Sequence, residues 1–141
     1  MNFPMIFSGV TPISLNAVYA TDFRTKRRFK SKAYKEYEGI IREFLRNDYK
    51  HYVGAFKQKA PENYYIKMDI RFYMPIFVKS GDRISLTSKD VSNCIKPLED
   101  IIATEYGFND SLVVNVCASK VHSAEHKIMV DLFICDINTI L

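Results

Sequence analysis

The sequence predicts an α+β fold: a single domain with a mixed or antiparallel sheet, helices packed over it, and the order β-α-β-α-β-β. Three observations carry that prediction. Between Tyr64 and Met74 apolar and polar side chains alternate, which is the period of a half-buried strand. Two segments, Ala33–Leu45 and Val91–Ile102, repeat apolar residues at three and four residue steps, the period of a helix. The last third holds two runs rich in Val, Ile and Leu with a short polar turn between them. With 141 residues, 48% hydrophobic and 26% charged, the chain suits one domain over 1–141 with a substantial core.

The elements follow in order. Ile6 to Ile13 is a mostly apolar run and reads as the first strand. Thr21 to Ser31 reads as a basic loop. Ser31 reads as an N-cap. Behind it Ala33, Tyr37, Ile40, Ile41, Phe44 and Leu45 form an apolar stripe, with Lys35, Glu36, Arg42, Glu43 and Arg46 turned outward. This helix either stops near Asn47 or runs on towards Phe56, since Tyr49, Tyr52, Val53 and Phe56 extend its pattern; Gly54 and Pro61 end it. In the strand Tyr64–Met74, Ile66, Met68, Ile70, Phe72 and Met74 point one way and Lys67, Asp69, Arg71 and Tyr73 the other. Lys79–Arg83 reads as a turn or mobile loop.

In the second helix Val91, Cys94, Ile95, Leu98, Ile101 and Ile102 form the buried face, which leaves Asn93, Lys96 and Asp100 on the opposite stripe. Pro97 is comfortable only in a first turn, where amides lack carbonyl partners. The helix therefore starts close to Asn93–Lys96, or it leaves the Asn93 carbonyl without its helical donor. Finally, Leu112–Val121 and Ile128–Ile137, joined by Ser123–His126, read as a β-hairpin.

Composition narrows the function classes. No apolar run approaches the about 20 residues of a membrane span, and Met1-Asn2-Phe3-Pro4 lacks the basic segment of a secretory leader. Cys94, Cys117 and Cys135 are odd in number, widely spaced and set in apolar stretches, so they read as buried thiols in a reducing compartment. His122 and His126 flank the predicted turn and read as surface residues. Charge is unevenly distributed. Met1 to Lys59 carries twelve Lys/Arg against five Asp/Glu (+7), and Ala60 onward carries eight against eleven (−3), which together give the net +4. A basic part beside an acidic part fits a protein that grips phosphates with one region and binds cations with the other. The basic loop holds Arg24, Lys26, Arg27, Arg28 and Lys30, interrupted by Phe23 and Phe29, a composition suited to a bent or unstacked nucleic-acid backbone.

The stretch from Ser88 to Val113 carries the chemistry. Asp90, Ser92 and Asn93 crowd one loop, Lys96 lies just beyond, Asp100 follows a helical turn later, and Asn109-Asp110 precedes a new apolar run. Lys96 and Asp100 at i,i+4 could be an ordinary surface pair, but Lys before Asp is the less helpful order against the helix dipole. Carboxylates at the ends of rigid elements, Asp90 before a helix and Asp110 before a strand, can be held for metal binding without loop slack. The expectation is that Asp90 and Asp110 lie within reach of one ion. Asp69 and Asp82 are the nearby acids that could supply a further carboxylate.

This string resembles the signature of the RusA family of Holliday-junction resolvases, roughly D-x-D-N-x-x-K-x-x-x-D followed by D-D-x-x-V. It stands here as Asp90-Val91-Ser92-Asn93-Cys94-Ile95-Lys96-Pro97-Leu98-Glu99-Asp100 and Asn109-Asp110-Ser111-Leu112-Val113. Pro12 to Tyr19 is also similar to the start of that family. The resemblance implies a Mg²⁺-dependent endodeoxyribonuclease, with Mn²⁺ as an alternative ion, acting as a homodimer. Its substrate would be the four-way DNA junction, cut by paired symmetric nicks in recombination and repair. The family is bacterial or phage-encoded, so the implied location is cytoplasmic, away from any membrane. By position Asp90 and Asp110 would bind metal and Lys96 would be the catalytic lysine. Asp100, Ser92, Asn93 and Asn109 would lend support. Ser92 stands where the family usually has its second aspartate, and Asn109 replaces the first residue of the closing pair. The implied alternative is a junction- or duplex-DNA-binding protein with weakened or lost cleavage.

Overall fold

The computed structural model describes residues 1–85 and 89–139; Ser88, which opens the motif stretch, lies outside them. A four-stranded mixed sheet in the order β1-β6-β4-β5 carries three helices on one face, and a separate two-stranded hairpin lies beside it. The fold is thus α+β, with one hydrophobic core between sheet and helices. No helix among the described residues is long and apolar enough to cross a membrane.

The first strand, β1, is Asn2–Ser8, earlier than the Ile6–Ile13 reading. Phe3, Met5 and Phe7 alternate into the core, and Gly9, at φ 75°, ends the run. The rest of the apolar stretch still contributes Val10 and Ile13 to the core, but from irregular backbone. Pro4 obscures this strand in the sequence, yet it is tolerated because β1 is an edge. Its neighbour of like parity, Ile6, turns both its N–H and its C=O away from the sheet. The Tyr49 hydroxyl accepts from that N–H at 2.7 Å and donates to that C=O at 3.0 Å.

The basic segment is more ordered than the predicted loop. Tyr19–Thr21 (β2) and Arg28–Lys30 (β3) pair antiparallel and hold the intervening residues as a hairpin tip. Ser31 then caps α1, Lys32–Asn47, its hydroxyl oxygen accepting from the Tyr34 N–H at 3.1 Å. The buried stripe is Tyr34, Tyr37, Ile41 and Leu45, so it is turned slightly from the predicted one; Ala33 and Ile40 are exposed. A break at Asp48 and Tyr49 separates α1 from α2, Lys50–Lys59, so the helix both stops near Asn47 and resumes.

Strand β4, Tyr64–Met74, keeps the expected alternation. The predicted terminal hairpin is corrected. β5 (Val113–His122) and β6 (Lys127–Asp136) do not pair with each other; β4 lies between them, parallel to β5 and antiparallel to β6. The local signals of a hairpin are present, but burial decides strand order. β4 and β6 each bury a full alternating row and take the inner positions, whereas no residue of β5 is fully buried and it takes the edge. The turn after β5 passes the end of β4, where the Ser123 N–H donates to the Met74 carbonyl.

The crossover from β4 to β5 is α3, Val91–Tyr106. Of the two alternatives for its start the second holds: α3 begins ahead of Asn93–Lys96, which leaves Pro97 at its seventh position and the Asn93 carbonyl without a helical donor. Pro97 packs in the interior, where burial offsets that loss. Gly107, at φ 86°, closes α3, and both its N–H and that of Phe108 donate to the Ala103 carbonyl. Phe3, Tyr52, Phe56, Tyr106 and Phe108 form the aromatic centre of the core. The three thiols are free, but only Cys94 is buried; Cys117 is exposed because β5 is an edge strand, and Cys135 is half-buried.

Candidate active site and nucleic-acid interface

Helical spacing places Ser92, Asn93, Lys96 and Asp100 along the side of α3 that its buried face leaves free. The Lys96 ammonium lies between two carboxylates, 2.8 Å from Asp100 Oδ1 and 2.7 Å from Asp110 Oδ2. Asp100 comes from the next turn of α3; Asp110 comes from the 3-10 turn Asp110–Leu112 that leads into β5. The bonds to Asp100 and Asp110 push the Lys96 amine well above the usual lysine range, so it is a fixed positive charge. The same ammonium holds Asp110 below the usual carboxylate range. Glu99, beside them, moves the other way: burial raises it.

Asn109 has a local structural task. Its side-chain oxygen accepts from the Ser111 N–H at 2.9 Å and caps the turn that presents Asp110. Asp90 is the N-cap residue of α3, but its exposed carboxylate makes no capping bond. The helical rise separates its Cα from that of Asp100 by about 15 Å along the axis. The structure therefore gathers Lys96, Asp100 and Asp110 into one cluster, with Asp100 beside Asp110. Exposed Ser92 and half-buried Asn93 lie between Asp90 and that cluster.

Neither candidate substitute carboxylate joins the cluster. Asp69 belongs to the outward row of β4, on the sheet face opposite the helices, where it sits in register with Asp131. Asp82 accepts from the Ser80 hydroxyl at 2.6 Å within its own loop. Two neighbours had no signal in the sequence. Tyr34 is brought near Asp100 by the packing of α1 on α3, and burial, then Glu38, keeps its phenol protonated. Thr104 lines, with Asp100, Ala103, Phe108, Asn109 and Asp110, a shallow concavity of about 290 Å³.

The donor chemistry fits a hard divalent ion, since Asp90, Asp100 and Asp110 offer only oxygen and Mg²⁺ needs one or two protein carboxylates with waters. Among the described residues no group of three or more His, Cys, Asp or Glu side chains is arranged to hold a metal. Two carboxylates already converge on one cation, the Lys96 ammonium.

The hairpin presents the basic residues. Asp22 fixes its tip by accepting from the Arg24 N–H at 2.8 Å, and Lys26 takes a left-handed conformation with φ 56°. Arg24, Lys26 and Arg27 are exposed, and Phe23 beside them is 95% exposed. Arg28 stacks over the Tyr19 ring at 4.4 Å. Lys30 pairs with Glu38 at 3.2 Å.

A protein-family model described as endodeoxyribonuclease RusA matches residues 11–132, a span that includes the hairpin, α3 and the Lys96–Asp100–Asp110 cluster. No curated protein matches the chain.

Proposed function

The chain belongs to the endodeoxyribonuclease RusA family, and on that premise we propose that it resolves four-way DNA junctions by paired symmetric nicks. It does so as a homodimer, because a two-fold pair of sites can address two opposing strands of one junction. The observation that carries this reading is the Lys96–Asp100–Asp110 cluster inside the matched span.

Asp110, with Asp100 beside it, would hold Mg²⁺ or Mn²⁺ together with bound waters, while Asp90, Ser92 and Asn93 at the start of α3 stand about 10–15 Å from Asp100 along the axis. Held at Asp110, such an ion would supply an activated water and would offset charge on the phosphate under attack. The chain's own residues do the rest. Lys96 stays protonated and stabilises the negative charge that develops on the phosphate oxygens. Asp110 stays ionised, so no proton is lost to it at neutral pH. The hairpin cations Arg24, Lys26, Arg27, Arg28 and Lys30 hold the DNA backbone near the branch, and Phe23 offers a ring on which an unpaired base can stack.

A second reading has its own support: Asn109 caps its turn without contributing charge, and Ser92 is neutral. The chain would then bind junction or duplex DNA with weakened cleavage. Incubating a synthetic junction, a flap and a linear duplex with and without Mg²⁺ separates these possibilities. Junction-selective, Mg²⁺-dependent cutting supports the resolvase reading. Binding without cutting supports the second, and equal cutting of all three substrates makes the protein a general nuclease.

A further inference from the structure

The basic hairpin stands at one end of α1, and a second basic feature stands at the other. Arg46, Lys50, Val53, Gly54, Lys57 and Glu105 line an open groove of about 390 Å³ between α1, α2 and the end of α3. Lys50 and Lys57 are seven residues apart and share one face of α2 with Gly54 between them. Gly54 has no side chain there, and a Cβ built on it meets nothing within 4 Å, so the floor between the two lysines is open. The single acid, Glu105, is neutralised within the protein: Arg42 and Arg46 both bond its carboxylate. Among the described residues neither Lys50 nor Lys57 has an ion-pair partner, and α2 contains no acidic residue. Helix stability accounts for Lys57 and Lys59, in the last turn, but not for Lys50, which faces the positive end of the helix dipole.

The groove is joined to the cluster described above. The Lys57 Cε lies 3.8 Å from where a Cβ of Gly107 would be, and Gly107 is three residues before Asp110. It is also tied to the hairpin by a continuous chain of ion pairs across α1, Lys30 to Glu38 to Arg42 to Glu105 to Arg46. The 16 residues of α1 make a helix about 24 Å long, the length of roughly seven nucleotide steps of B-form DNA at about 3.4 Å each.

We propose that this α2 groove is a second DNA-backbone site, in which Arg46, Lys50 and Lys57 take phosphates of a duplex arm whose branch end is held by the hairpin. The proposal rests on the DNA-junction reading above and adds where an arm lies. Phosphate is the chemistry that the groove recognises, because its free cations are compact ammonium groups and the absent side chain at Gly54 lets a backbone approach closely.

The test is the affinity of the full-length protein for a synthetic four-way junction without divalent metal, over 50–200 mM salt. The variants are Lys50→Glu/Lys57→Glu, Gly54→Glu, the conservative Lys50→Arg/Lys57→Arg, and Lys67→Glu/Lys127→Glu. The last makes the same charge change on the open sheet face. Thermal melts establish that each variant is folded. We expect the groove reversal and Gly54→Glu to weaken binding at least tenfold, and the reversal to reduce the slope of log K against log salt by about 1–2. The arginine variant and the sheet-face control should bind like wild type. Wild-type binding with an unchanged groove reversal, or an equal loss in the sheet-face control, overturns the groove while leaving the junction reading in place. A wild type that binds no junction DNA overturns both.

Discussion

Lys96 is where residue-scale chemistry concentrates. Its ammonium is bonded to Asp100 and Asp110, and the titrations of Lys96 and Asp110 are displaced in opposite directions. Asp110 in the fold sits below the unfolded value of about 3.9; its contribution is present above that value and is lost as pH falls through the depressed one. Lys96 sits above the unfolded value of about 10.4; its contribution is complete below that value and is lost as pH rises through the raised one. The pairing therefore persists over the whole neutral range. A carboxyl-carbon NMR titration should find Asp110 ionising below the ordinary range in wild type and close to it in Lys96→Met; identical midpoints would refute the pairing. Ser92→Asp adds a carboxylate on the stripe between Asp90 and Lys96, and calorimetry should register tighter Mg²⁺ binding. Phe23 is bare in the fold, so Phe23→Ala should leave the melting temperature unchanged. It should weaken junction binding by about 1–3 kcal/mol, the value of stacking one base on an aromatic ring. Unaltered affinity would remove Phe23 from the DNA interface.

At the scale of elements, what was legible depended on how local the signal was. The α1 cap at Ser31, the alternation of β4 and the stripe of α3 are periodic patterns held within one segment, and each is found where the sequence places it. Three features were decided elsewhere in the chain. β1 is masked by Pro4, whose acceptability depends on β1 lying at the sheet edge. β5 and β6 are separated by a strand laid down earlier, and a turn signal cannot report that. The early start of α3 depends on Pro97 being buried, again a tertiary fact. The candidate site divides in the same way. Lys96 with Asp100 is a spacing within one helix, but Asp110 joining them follows from how the chain turns at Gly107. Ser31→Ala removes the acceptor for the Tyr34 N–H at the junction of hairpin and helix. It should cost about 1 kcal/mol in a denaturant melt, and no loss would mean that the cap is dispensable.

For the whole molecule, the charge asymmetry of the sequence becomes a spatial division. The basic first part supplies the hairpin, α1 and α2, and the acidic later part supplies α3 and the turn that holds Asp110. Most of the basic residues and the carboxylate cluster are thereby carried by different elements of the fold. The Arg42–Glu105 and Arg46–Glu105 pairs are where the two parts meet. Among the described residues, the opposite sheet face, with Lys67, Asp69, Arg71 and Tyr73, has no helix over it and contributes none of the Lys96–Asp100–Asp110 cluster.

The most direct measurement is the rate at which a labelled four-way junction is cut in Mg²⁺ by wild type and by Asp110→Asn, with binding of the same junction followed in parallel. Wild type should introduce two opposed nicks, and Asp110→Asn should cut at least about 100-fold more slowly while binding the junction as well as wild type does. A wild type that leaves the junction intact in both Mg²⁺ and Mn²⁺, or an Asp110→Asn variant that cuts at the wild-type rate, would contradict the account.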